Sequence, residues 1–260
     1  MVNIDSLLRF FPAQVHRSRQ FILREYLQYK ILEIMFRSEF GEKFSFLGGT
    51  CLRIVHDNTR FSEDLGFDNF NLSIEDFDQC SIAIQKGLQH EGFEVEMRNI
   101  HAGAYHCYLR FPNLLFEQGL SGHRQEKILV SLDTEQQGFD FKPDVYFLQK
   151  FGIVASISVT PPDLLLSQKF NAICNRKRAK GRDFFDVVFL LGMGYKPNYE
   201  YLEAKLSLQT PAALRERILE VCNHLDFNAL ALDVQPFLFD PRENRKVHEF
   251  IAFFRQASLG

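Results

Sequence analysis

The chain has 260 residues, 46% of them apolar, with 28 Phe, no Trp and a formal net charge of −3. That length can bury a core in one large or two small domains, and the near-neutral charge argues against a wholesale nucleic-acid binder while leaving room for a local basic patch. The cysteines Cys51, Cys80, Cys107, Cys174 and Cys222 fit neither a zinc spacing nor a disulfide framework, and read as reduced, buried thiols of a cytoplasmic protein. No apolar run approaches the roughly 18 residues of a membrane span, so no membrane partner is expected. The opening MVNIDSLLRFFPAQ lacks a signal-peptide pattern.

Residues 15–38 place apolar side chains at helical spacing without Gly or Pro, which predicts a long amphipathic helix. A short strand, Phe44-Ser45-Phe46-Leu47, then runs into Gly48-Gly49-Thr50, and 51–57 reads as helix. Residues 64–70 read as a second strand. Ser73, with Asp76 three residues on, forms a capping-box signal for a helix over 74–90. From 92 to 159 the pattern becomes strand-like: FEVEMRNI, AYHCYLRFP, EKILVSLDT and IVASISVT. After Thr160-Pro161-Pro162 it turns helical again, with helices expected over 162–173, 182–191, 198–207, 211–223 and 241–257. The organisation expected is an α/β (α+β) domain with a mixed sheet over 1–160 and a helical domain over 161–260.

The chemistry gathers in two places. Gly48-Gly49-Thr50 stands where a strand hands over to a helix. Glycines let a ligand approach the backbone closely, and helix-start N–H groups favour phosphate. A Gly-Gly turn alone is more often only a tight turn. Here Asp64 follows at the next strand, and Asp133 ends the apolar run 128–132. Strand-end carboxylates beside a phosphate-binding turn suit Mg²⁺, which is held by one or two carboxylates plus substrate phosphates.

The run 48-GGTCLR-53 followed by 60-RFSEDLGFD-68 resembles the opening motif of the AbiEii-type nucleotidyltransferases, within the polymerase-β-like superfamily. A second block, 164-LLLSQKFNAICNRKRAKGRDFFDVVFLL-191, resembles that family's helix-borne Lys followed by R-D-x-x-D. The resemblance implies a nucleotidyltransferase fold, nucleotide transfer from an NTP with Mg²⁺, and for many members a toxin encoded beside an antitoxin. Related toxins modify the tRNA acceptor end, which makes tRNA or another RNA a candidate acceptor. Carried over by position, Gly48, Gly49, Thr50, Arg53, Lys169 and Arg182 would meet the nucleotide. Asp64 and Asp133 would ligate metal, and Asp64, Lys169, Asp183 and Asp186 would form the catalytic set.

Physics supports the second block in part. Lys169 and Arg176 share a helix face, and Asp183 and Asp186 are i, i+3 neighbours. The run 176-RKRAKGR-182 holds five cations in seven residues. Such a run is usually a solvated face, and an acid in a first helical turn is often there for the helix dipole. His101, His106 and His123 have no partner at fixed spacing and read as ordinary histidines. Ser62 could support Asp64 or make a local turn.

One position departs from the family pattern: Gly66 stands where a second Asp is usual. Residues i and i+2 of a strand share a face about 6.6 Å apart, so Asp68 lies too far along to replace it without a bulge, which a glycine could mark. Three explanations stay open: a natural variant active through Asp68 or Asp133, a degenerate enzyme that still binds nucleotide, or an inactivating change selected against toxicity. A nucleotide- or antitoxin-binding pseudoenzyme and a small-molecule nucleotidyltransferase are the alternative functions.

Overall fold

A computed structural model describes residues 2–260. The chain forms two compact units. One comprises residues up to Asp57, Phe61–Gly138 and Lys142–Val159. The other comprises Asn58–Arg60, Phe139–Phe141 and Thr160–Gly260.

In the first unit the elements run α1 (Ile4–Leu8), α2 (Arg19–Arg37), β1 (Phe44–Leu47), α3 (Gly48–Val55), β2 (Leu65–Asn69), α4 (Ile74–His90), β3 (Glu96–Ala102), β4 (Ala104–Phe111), α5 (Leu114–Glu117), β5 (Ile128–Thr134), β6 (Asp144–Lys150) and β7 (Ile153–Val159). The strands form one mixed sheet in the order β3-β4-β5-β2-β1-β7-β6. β1–β7 and β2–β5 are parallel and the other neighbours antiparallel. Strand alternation sorts the two faces. Leu65, Phe67, Cys107, Leu109, Val130 and Leu132 are buried on one. The other carries Gly66, His106, Tyr108, Ser131 and Asp133, by the registers Gly66↔Asp133, His106↔Asp133 and Tyr108↔Ser131. Helices α2 and α4 pack on the sheet. The core is rich in Phe: Phe44, Phe46 and Phe67 meet with ring centroids 5.5–5.7 Å apart.

The second unit contains α6 (Pro162–Asn175), α7 (Gly181–Gly192), α8 (Tyr199–Leu206), α9 (Pro211–Cys222), α10 (Phe227–Val234), α11 (Arg245–His248) and α12 (Phe250–Gln256). Helix α7 packs on α6 and α10, and Phe184 meets Phe250 edge-on at 4.9 Å. Gly181 opens α7 because nothing larger fits: a Cβ there would stand 1.9 Å from the Leu230 carbonyl oxygen. Its N–H donates to Asp233 Oδ2 at 2.9 Å.

The Ser73–Asp76 capping box is present on α4, and β1 has the expected bounds. Four expectations need correction. Helix α3 starts at Gly48, so the glycines form its first turn rather than a turn before it. Residues 241–257 do not form one helix: a 3-10 turn ends at Asn244, and two short helices meet at Glu249, whose ψ of 7° breaks the α-helical run. β6 and α10 were not expected. Finally, Gly66 marks no bulge, since β2 pairs without interruption with both β1 and β5. All five cysteines are free, and four are buried. Among the described residues no helix is long and apolar enough to cross a membrane.

Candidate functional site

In the first unit, Leu47 ends β1 in extended conformation and Gly48 turns the chain at φ +82° into α3. That backbone region is costly for any residue with a Cβ. No side chain caps the start of α3, so its first amides depend on another acceptor. Thr50 is fully buried, and its hydroxyl donates to the backbone carbonyl of Asp64. The first turn of α3 is thereby fastened to the residue that precedes β2. Arg53 is also buried, and its Nε donates to Glu25 Oε2 on α2 at 2.9 Å. Lys150 Nζ donates to the other Glu25 oxygen at 2.7 Å.

Asp64 is exposed, and Asp133 lies on the next strand. Ser131 joins them, with Oγ 2.7 Å from Asp64 Oδ1 and 3.1 Å from Asp133 Oδ2. A hydroxyl has one hydrogen, and the shorter contact takes it. On the far side of Asp133, His106 Nδ1 lies 2.6 Å from Oδ1. Position 66 faces Asp133 from β2 and contributes no side chain. A Cβ there would come 3.1 Å from Leu47 Cδ1, the end of a flexible side chain that needs to move only slightly. Asp68 is elsewhere engaged: it is 2% exposed, and its Oδ1 accepts from the Gln137 N–H at 2.9 Å.

The second unit gathers the other motif residues into a buried ionic network. Arg60 and Asp186 are 1% and 0% exposed. Arg60 Nε donates to Oδ1 and Nη2 to Oδ2 of Asp186, each at 2.7 Å, in the bidentate geometry that suits a guanidinium. Asn58 Nδ2 adds a bond to Oδ1 at 2.9 Å. Lys169, on α6, places Nζ 2.8 Å from Asp186 Oδ2 and 3.1 Å from Asp183 Oδ1, and Arg176 reaches Asp183 Oδ2 at 3.1 Å. Burial alone would raise the Asp186 pKa, but Arg60 and Lys169 outweigh it and hold the carboxyl at about 2. The segment 58–60 is further tied by an Arg60↔Leu238 bridge, the Phe239 N–H to the Thr59 carbonyl at 3.0 Å, and Thr59 Oγ1 to Glu243 at 2.7 Å. The Arg182 guanidinium lies 4.9 Å from the Phe237 ring centroid.

The structure therefore brings together Thr50, Asp64 and Asp133 in one unit, and Lys169, Asp183 and Asp186 in the other. Sequence reasoning missed Ser131, His106, Asn58 and Arg60. Ser131 had a signal, since it shares a strand face with Asp133. The His106 pairing depends on the β4–β5 register, which local pattern does not reveal. Among the described residues no three His, Cys, Asp or Glu side chains are placed to hold a metal ion. Asp64 and Asp133 do offer hard oxygen donors, the set with which Mg²⁺ is held when substrate or water completes its shell.

The mixed sheet with its glycine-opened helix is a fold that solved structures share. The chain is similar to JHP933 from Helicobacter pylori, at 15% identity and a TM-score of 0.57 over 91% of this chain and 90% of that one. It is also similar to a putative nucleotidyltransferase from H. pylori, at 17% identity and a TM-score of 0.56 over 91% and 93%. The profile of the nucleotidyl transferase AbiEii toxins of type IV toxin–antitoxin systems matches residues 30–255, and the chain belongs to that family. No curated protein matches the sequence.

Proposed function

We propose that this chain is the toxin of a toxin–antitoxin pair in the cytoplasm, and that it transfers a nucleotidyl group from an NTP to an acceptor hydroxyl such as that of a tRNA end. The observation that supports this most is the coupling of Asp64 and Asp133 through Ser131, with Thr50 fastening the start of α3 to Asp64. The amides of Gly48, Gly49 and Thr50 receive phosphate oxygens at the uncapped helix start. Asp64 and Asp133 hold Mg²⁺, which when bound supplies positive charge against the phosphates. An ammonium has three hydrogens. Asp183 and Asp186 take two from Lys169 and so position it. The exposed Arg176, Lys177 and Arg178 suit an RNA backbone.

The test is incubation with labelled NTPs, Mg²⁺ and total tRNA, comparing this chain with Gly66→Asp. The reading expects label on RNA, increased by the substitution. Absence of label on RNA, protein or small molecules with both proteins defeats it, and label on a small molecule alone moves the acceptor to that class. Gly66 supports a second reading, a pseudoenzyme that holds nucleotide or antitoxin without turnover. Tight NTP binding by calorimetry with no transfer by the parent chain would favour it.

A further inference from the structure

We infer that His106 is a positioning residue for Asp133: it holds one carboxylate oxygen so that the other is presented to a divalent cation. The inference rests on the proposed reading of Asp64 and Asp133. Directly opposed residues on neighbouring strands put their side chains on one face. Asp133 is opposed by position 66 on β2 and by His106 on β4. On the β2 side there is only glycine, so nothing there limits rotation of the carboxylate. On the β4 side His106 Nδ1 meets Oδ1 at 2.6 Å. A carboxylate offers only lone pairs, so the hydrogen in this contact sits on Nδ1 and the ring is the donor. The imidazole is itself braced, nearly parallel to Tyr108 with centroids 6.4 Å apart. Along β5, Ser131 gives its hydrogen to Asp64, which leaves Asp133 Oδ2 available. With position 66 empty, His106 is the lateral side chain that fixes this ligand. Outer partners of metal-ligating carboxylates commonly matter about ten- to a hundredfold in metal affinity.

The probe is Mn²⁺, followed through its free-ion electron paramagnetic resonance signal as it binds to the full chain. His106→Ala is expected to weaken Mn²⁺ binding about tenfold or more. His106→Asn places an amide N–H near the position of Nδ1 and is expected to restore binding to within a few-fold. His106→Gln places its N–H near Nε2 and is expected to behave like His106→Ala. Side-chain exposures of 32% for His106 and 39% for Asp133 allow these variants to fold, and their melting temperatures verify it. Parent-like affinity in His106→Ala, or equal loss in the Asn and Gln variants, overturns the inference. The parent reading is tested separately by Asp133→Asn. If that change abolishes Mn²⁺ binding while His106→Ala does not alter it, only the role of His106 falls. If Asp133→Asn binds like the parent, the cation reading falls and the role of His106 with it.

Discussion

The two groups of acidic motif residues differ in what surrounds them. Asp183 and Asp186 are buried and matched by cations: Arg60, Lys169 and Arg176. Asp64 and Asp133 reach solvent, and the contacts on their carboxylates come from a hydroxyl and an imidazole. A buried carboxylate already neutralised by arginine and lysine has little left to offer a cation. On the proposed reading, the solvent-reaching pair keeps oxygens for a cation. The acids singled out in the sequence thus divide into a buried pair matched by cations in the helical unit and a solvent-reaching pair in the sheet unit.

The largest effect that can break this division is on stability. Asp186→Ala takes from the buried Arg60 the carboxylate that accepts its bidentate pair, and is expected to reduce unfolding free energy by about 3–5 kcal/mol, measured by urea denaturation. The paired replacement Arg60→Met with Asp186→Leu is expected to recover most of that loss, because it removes both buried charges together. A smaller effect follows from acid. The folded pKa of Asp186, about 2, lies below the reference 3.8. Its stabilisation is therefore complete above about pH 4 and is lost as pH falls towards 2, a change on the order of 2 kcal/mol. Chemical denaturation across that range should show it, and Asp186→Asn should flatten the response. Gly181→Ala, which drives a methyl group into the Leu230 carbonyl, is expected to lose about 1–3 kcal/mol. The smallest stability change belongs to the other region: Asp133→Asn is expected to melt within a degree or two of the parent while losing Mn²⁺ binding.

The local elements were legible where one physical signal dominated. Ser73 and Asp76 announced α4 through two reciprocal hydrogen bonds, and Pro162 at the first turn announced α6. β6 was missed because its apolar residues fall on both faces: Val145 and Phe147 are 67% and 66% exposed while Leu148 is buried, so DVYFLQK shows no clean alternation. The carboxylate of Asp133 could be picked out as a strand end, and Ser131 lies two residues before it on the same strand face, but its partners across the sheet could not. His106 and Gly66 meet it through the registers of β5 with β4 and β2, which tertiary pairing decides. Arg60 was visible as a motif letter, yet its role depends on Asp186, 126 residues away.

The most direct test pairs Asp64→Asn with Asp186→Asn and measures Mn²⁺ binding and melting temperature on both. The division described above expects Asp64→Asn to lose the cation while melting as the parent does. It expects Asp186→Asn to melt several degrees lower while its folded molecules still bind Mn²⁺. Loss of binding by folded Asp186→Asn, or retention of it by Asp64→Asn, would contradict the assignment of cation binding to the strand carboxylates.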